Sequence, residues 1–285
     1  MARLTGISAH YTLPLDPPIE IDDDVRAIDE DDAPGELTHL VADLDDTEPE
    51  RTLTGLRPFD RALGTQDRLG MPHRSVVMTA GPPGTGKSTL YTEVGGFLAA
   101  SGERVLYASA EEAKEQLGVR GKRMGLWKRY PKAKRKFHVV ETCHLEEIFD
   151  AIDEVKATVV IIDSLAKMKL DGRLAGEARA SEIIGHRVHA MEDFAGMEPL
   201  MCAMIVAHSN KDGDMRGPLS AEHNVDAMFL LEHFHPLTGE ALPPKRRMGY
   251  VRLLVSKNRF GDGLENGLFR MTDQGLVPHT RATDD

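Results

Sequence analysis

The stretch SVVMTAGPPGTGKST, residues 75–89, decides the reading of this chain. Its first six residues are rich in β-formers and suit a strand buried on both faces. Residues 81–88 then match G-x-x-x-x-G-K-[ST] without a mismatch. A helix is expected from Ser88 to Ala100. Glycines let backbone N–H groups close on phosphate oxygens, and the helix N-terminus adds partial positive charge. Gly81, Pro82, Pro83, Gly84, Thr85, Gly86, Lys87, Ser88 and Thr89 are therefore expected to bind ATP. Lys87 would reach the β- and γ-phosphates, and the Ser88 hydroxyl would take Mg²⁺.

Working outward, three more apolar runs lie at Arg104–Ser109, Ala157–Ile162 and Leu200–Val206. Helical spacing recurs between them, at Leu145, Ile148, Phe149 and Ile152, and at Ile184, Val188 and Met191. Strand–helix alternation predicts an α/β fold: a mostly parallel sheet with helices on both faces. Segments 227–232, 250–256 and 267–271 read as antiparallel additions at one edge.

The strand VVIID ends in Asp163, 76 residues beyond Lys87. Such an acid would hold Mg²⁺ through a water; capping a helix is its plainer role. The strand before it ends in ASAEE, residues 108–112. A carboxylate there would face the γ-phosphate and orient the attacking water. Glu111 is the first choice and Glu112 the second; both would also suit a first helical turn.

The net charge of -11 is unevenly placed. Residues 1–50 hold 15 acids and 2 bases, whereas the remaining 235 hold 31 acids and 33 bases. The first segment is too acidic and too poor in apolar residues to build a core, so it reads as largely disordered. Its acids would solvate it, compete with DNA phosphate for basic loops or dock a partner. The body, residues 51–285, is close to neutral and not excluded from nucleic acid. Arg120 to Lys136 carries nine bases, no acid, and Trp127 and Tyr130. That mixture suits single strands, through phosphate contacts and base stacking, but equally a solvated face or a dock for the acidic segment.

Cys143 and Cys202 are too few for a disulfide framework and read as buried thiols. The pairs His186/His189 and His233/His235 lack a third metal ligand at a usual spacing. No apolar run is long enough to span a membrane and no secretory leader is visible, so a cytoplasmic place is expected.

The order of these pieces resembles the RecA-like core of RadA-type recombination ATPases, relatives of DnaB-type ring helicases. Thr54-Gly-Leu, Phe59-Asp-Arg61 and Leu63-Gly64 look like the family's lead-in to the phosphate loop. Residues 109–112, Glu141-Thr142 with Leu145–Ile148, and 208–226 resemble its later motifs. KNRFG at 257–261 matches its signature. The resemblance implies that His208 senses the γ-phosphate. It implies that Lys257 and Arg259 reach a neighbouring subunit's ATP, in a homo-oligomer expected to be a hexameric ring around single-stranded DNA. Two loops would line its channel, one with Lys167, Lys169, Arg173 and Arg179, the other with Lys211 and Arg216. Glycines 172, 176, 213 and 217 would let them move.

RadA-type proteins also carry a four-cysteine zinc finger and a Lon-protease-like domain. Neither is found in these 285 residues, so a core without those modules is expected. The reading is a DNA motor of recombination or repair, with branch-migration or helicase activity. Its alternatives are a replicative-type helicase, a strand-exchange recombinase and, in another class, a KaiC-like signalling ATPase without DNA.

Overall fold

In this computed structural model the described residues are 49–65, 67–189, 202–208, 219–242, 249–261 and 267–279. The acidic segment up to residue 48, Met191, Lys211, Arg216, Gly213 and Gly217 lie outside them. The chain divides after Glu48 by its internal contacts, and the unit from Pro49 onward is built on one large sheet.

The unit opens with β1 (Arg51–Thr52), α1 (Arg57–Leu63), β2 (Met71–Pro72) and β3 (Ser75–Ala80). Then come α2 (Lys87–Ser101), β4 (Val105–Ser109), α3 (Lys114–Arg123), α4 (Leu126–Arg129) and β5 (Phe137–Glu141). The middle holds α5 (Leu145–Val155), β6 (Val159–Asp163), β7 (Lys169–Leu170), β8 (Arg173–Leu174), α6 (Glu177–His189) and β9 (Cys202–Val206). The chain closes with α7 (Leu219–Glu222), β10 (Ala227–His233), β11 (Tyr250–Asn258), β12 (Gly267–Thr272) and β13 (Gly275–Pro278).

Nine strands pair in the order β13-β12-β11-β10-β3-β9-β6-β4-β5. From β10 to β5 every pairing is parallel, and from β10 to β13 every pairing is antiparallel. The expectation that residues 227–232 add antiparallel is thereby corrected: β10 joins β3 in parallel, and the antiparallel additions are β11 to β13. The strand at β5 has no counterpart in the sequence reading, because its short, partly exposed run FHVVE follows directly on the basic run.

Alternate residues of β3, β4, β6, β9 and β10 enter two cores. Val77, Tyr107, Ile161, Met204 and Phe229 meet α1 and α2 on one face. Val76, Leu106, Val160, Ile205 and Met228 meet α5 and α6 on the other. Burying each such aliphatic side chain stabilises the fold by about 1.5–3 kcal/mol. The helix α2 is wrapped almost all round, because Gly95 and Gly96 let Phe137 and Leu126 approach its backbone. A β-carbon on Gly96 would stand 2.7 Å from Leu126. Both cores thus fix β3 and α2, and with them the loop between. Cys202 is buried as expected, while Cys143 is only half-buried.

Candidate functional site

The loop at 81–86 owes its path to two glycines. Gly81 has φ 153°, and a β-carbon there would lie 2.2 Å from the Leu231 carbonyl oxygen. Gly86 caps α2 in the left-handed region at φ 95°. The chain thus turns sharply from β3 into a helix whose first N–H groups are free to bond an anion.

Lys87, the first residue of α2, is only 5% exposed. Its Nζ donates to the carbonyls of Gly81 at 2.7 Å and Pro82 at 2.9 Å. Burial pushes Lys87 down to about 8, against the opposing pull of Asp163 and Glu111. Asp163, at the end of β6, is buried too. The Tyr107 hydroxyl donates to its Oδ2 at 2.5 Å, across the register that pairs β4 with β6. Burial and the Asp163 charge push that phenol well above its ordinary range. Tyr107 was not singled out in the sequence; the signal was one phenol in the middle of an otherwise largely apolar strand.

Glu111 and Glu112 separate. Glu111 Oε1 accepts from the Ser164 hydroxyl and lies 3.2 Å from His208 Nε2. Burial would raise Glu111, but the Ser164 hydrogen bond, His208 and Lys167 outweigh it and hold the carboxyl below its ordinary range. Glu112 turns to Arg120, whose Nη2 donates to it. Arg120 belongs to the basic run by sequence, yet it lines the cleft at the phosphate loop. Its side chain is 14% exposed and its Nη1 has no partner. The cleft measures about 290 Å³ and gathers Lys87, Ser88, Glu111, Asp163, His208 and Met271 along its walls.

Lys257 and Arg259 lie elsewhere. Lys257 lies near the end of β11 and Arg259 just past it, and Asp226 links Arg259 to the start of β3: Arg259 Nη1 donates to Asp226 Oδ1 at 3.1 Å, and Asp226 Oδ2 accepts the Val76 N–H at 2.8 Å. Lys257 Nζ donates to the Glu222 carbonyl at 2.7 Å. Burial, then Arg259, push Lys257 below its ordinary range. From Val76 to Ala80 a strand covers about 13 Å, so both cations stand at the opposite end of the sheet from their own phosphate loop.

Of the residues predicted for DNA, Lys167 is exposed just beyond Asp163 and Arg173 is exposed on β8. Lys169 is half-buried on β7, and Arg179 pairs with Glu182 at 2.8 Å. The β7–β8 hairpin turns on Asp171 and Gly172, both at positive φ, as a two-residue turn requires. Within the basic run, where base stacking stood beside a solvated face or a dock for the acidic segment, the two aromatics face inward. Trp127 packs edge-on against Phe137 and Tyr130 against Phe97. The Tyr130 hydroxyl and the Arg129 guanidinium both bond the buried carboxylate of Glu93. Burial, with Glu93 beside it, pushes Tyr130 up to about 12.

Fold and cleft together define a P-loop ATPase core of the RecA type. The chain belongs to the AAA domain family, which matches residues 67–214. It is similar to proteins named DNA repair protein RadA. The one from Aquifex aeolicus is 32% identical over 85% of this chain and 50% of its own length. That of Mycolicibacterium smegmatis is 33% identical over 78% and 44%, and that of Bacillus subtilis 30% over 83% and 47%. The chain spans about half the length of the curated relatives it matches. Among solved structures, a KaiC-like protein from Pyrococcus horikoshii shares the fold, with TM-score 0.60 and 18% identity over 81% of this chain and all of that one. Among the described residues, no helix is long and apolar enough to cross a membrane.

Proposed function

We propose that this chain hydrolyses ATP and couples the reaction to single-stranded DNA in recombination or repair, as a RadA-like motor. One observation carries the reading. Glu111 sits in the phosphate-loop cleft with Lys87 and Asp163, and it is tied electrostatically to His208 and Lys167. Each of those two residues starts a loop that would meet DNA, so DNA at either loop alters the carboxylate that handles water.

In the reaction, Lys87 leaves its two carbonyls for the β- and γ-phosphates. Glu111 orients a water in line with the γ-phosphorus and takes its proton as ADP departs. Arg120, through Nη1, adds a second cation to the cleft. Ser88 and Asp163 fit Mg²⁺: both present hard oxygens, and Mg²⁺ needs only one or two protein ligands beside phosphate oxygens and water. The ion would neutralise charge on those oxygens when bound. Lys257 and Arg259, too far from their own loop, serve a neighbouring copy's ATP in a ring.

The test is the ATP hydrolysis rate with and without single-stranded DNA, for the native chain, Lys87→Ala and Arg259→Ala. Stimulation of about tenfold or more, lost in both variants, is expected. Hydrolysis indifferent to DNA would sink the motor reading.

A further inference from the structure

We propose that Asp226 is the positioning residue of Arg259. It aims the guanidinium into a cleft that this chain offers to a neighbouring copy's nucleoside triphosphate. The proposal rests on the reading that Arg259 acts on a neighbour.

Asp226 immediately precedes β10, and its carboxylate is 7% exposed. A charge so buried needs partners, and here they come from three elements. The Val76 N–H at the start of β3 and His189 Nε2 at the end of α6 reach Oδ2, at 2.8 and 2.9 Å. Arg259 Nη1 reaches Oδ1, while its backbone N–H bonds the Asp226 carbonyl at 3.0 Å. Arg259 is therefore held at both its backbone and its tip.

The pair is lopsided. The Arg259 side chain is 56% exposed. An ion pair with one member so exposed adds little to stability. The carboxylate already has Val76 and His189 as partners. What Arg259 gains from Asp226 is direction: one edge of the fork is fixed while the remainder stays exposed. That remainder lines a cleft of about 380 Å³ together with Gly185, His186, His189, His223 and Glu182. Glu182 is already engaged by Arg179 at 2.8 Å. An exposed guanidinium among imidazoles, with Lys257 beside it, suits the oxygens of a polyphosphate better than any cation. The same carboxylate also grips β3, the strand that runs into the chain's own phosphate loop. The receiving end for a neighbour's nucleotide and the binding end for its own are thus two termini of one strand.

The experiment uses the full chain and ATP hydrolysis in mixtures. Asp226→Asn keeps the shape of the side chain and removes its charge. Alone, it should lower kcat at least tenfold while leaving KM for ATP and the thermal midpoint nearly unchanged. Mixed in equal amounts with Lys87→Ala, it should recover activity, because intact phosphate loops of one variant then meet correctly aimed arginines of the other. A merely structural role would give no recovery. Arg259→Ala mixed with Lys87→Ala is the reference. Native activity in Asp226→Asn, or failure of its mixture where the reference recovers, overturns the assignment to Asp226. Failure of the reference mixture overturns the neighbour reading itself, and the assignment with it. Should Asp226→Asn not fold, Asp226→Glu retains the charge but displaces it, and the same outcomes apply.

Discussion

At the scale of single residues, Lys87 is where pH should be felt first. Its ammonium titrates near 8 in the fold, against an ordinary value of 10.5. Below about 8 the charge is present in both folded and unfolded chains. Between about 8 and 10.5 the unfolded chain holds the extra proton, so this group adds stability as pH rises through that window. Nucleotide binding runs the other way. A triphosphate beside Lys87 favours the charged form, so above about 8 binding takes up a proton and affinity falls by up to roughly tenfold per pH unit. Fluorescent-nucleotide titrations between about pH 7 and 9.5 check this, and a flat profile would remove Lys87 from the phosphate contacts. Arg120 belongs to the same scale. Arg120→Ala should weaken ATP binding about tenfold or more, the value of one charged hydrogen bond of roughly 1.5–3 kcal/mol, as read by calorimetry.

Lys87, Ser88, Asp163 and Glu111 were legible because each follows directly from a motif or a strand end. Tyr107, Arg120 and Asp226 were not. Their roles depend on who sits opposite across a strand pair or a helix, and a linear pattern carries no such partner. Arg120 in particular looks like one more cation of a basic run until α3 carries it back over Glu112.

At the scale of elements, the basic segment 120–136 is half scaffold. Its aromatics close the core beneath α2, and Arg129 neutralises Glu93, a carboxylate buried in that helix. Trp127→Ala should cost about 3 kcal/mol of stability, toward the low end for a large aromatic because the ring is only partly buried. Its affinity for single-stranded DNA should stay within about twofold. Chemical denaturation and filter binding read the two quantities, and a large loss of DNA affinity at native stability would restore the stacking role. Elements buried on both faces were the readable ones: β3, β4, β6 and β9 are continuous apolar runs. The edge strand β5 is short, exposes Val139, and blends into the basic run. The direction of β10 is set by its distant partner β3, some 150 residues earlier, and no local signal records it.

At the scale of the whole molecule, the mostly parallel sheet gives the unit two unlike ends. The carboxyl ends of β3, β6 and β4 carry the phosphate loop, Asp163 and the glutamates, while the opposite end carries Asp226 and Arg259. This asymmetry was predictable in outline from strand–helix alternation, since parallel strands all begin on one side. Which end receives Arg259 was not, because β11 reverses against β10, and the parallel direction of β10 itself was not legible.

The opposed placement of those two ends makes any assembly that joins them head-to-tail. Two copies cannot satisfy each other symmetrically: joining one pair of ends always leaves another pair open, so growth stops only by closing a circle and otherwise continues as a filament. A copy disabled at one end alone would then behave as a chain terminator, accepted by its predecessor and useless to its successor.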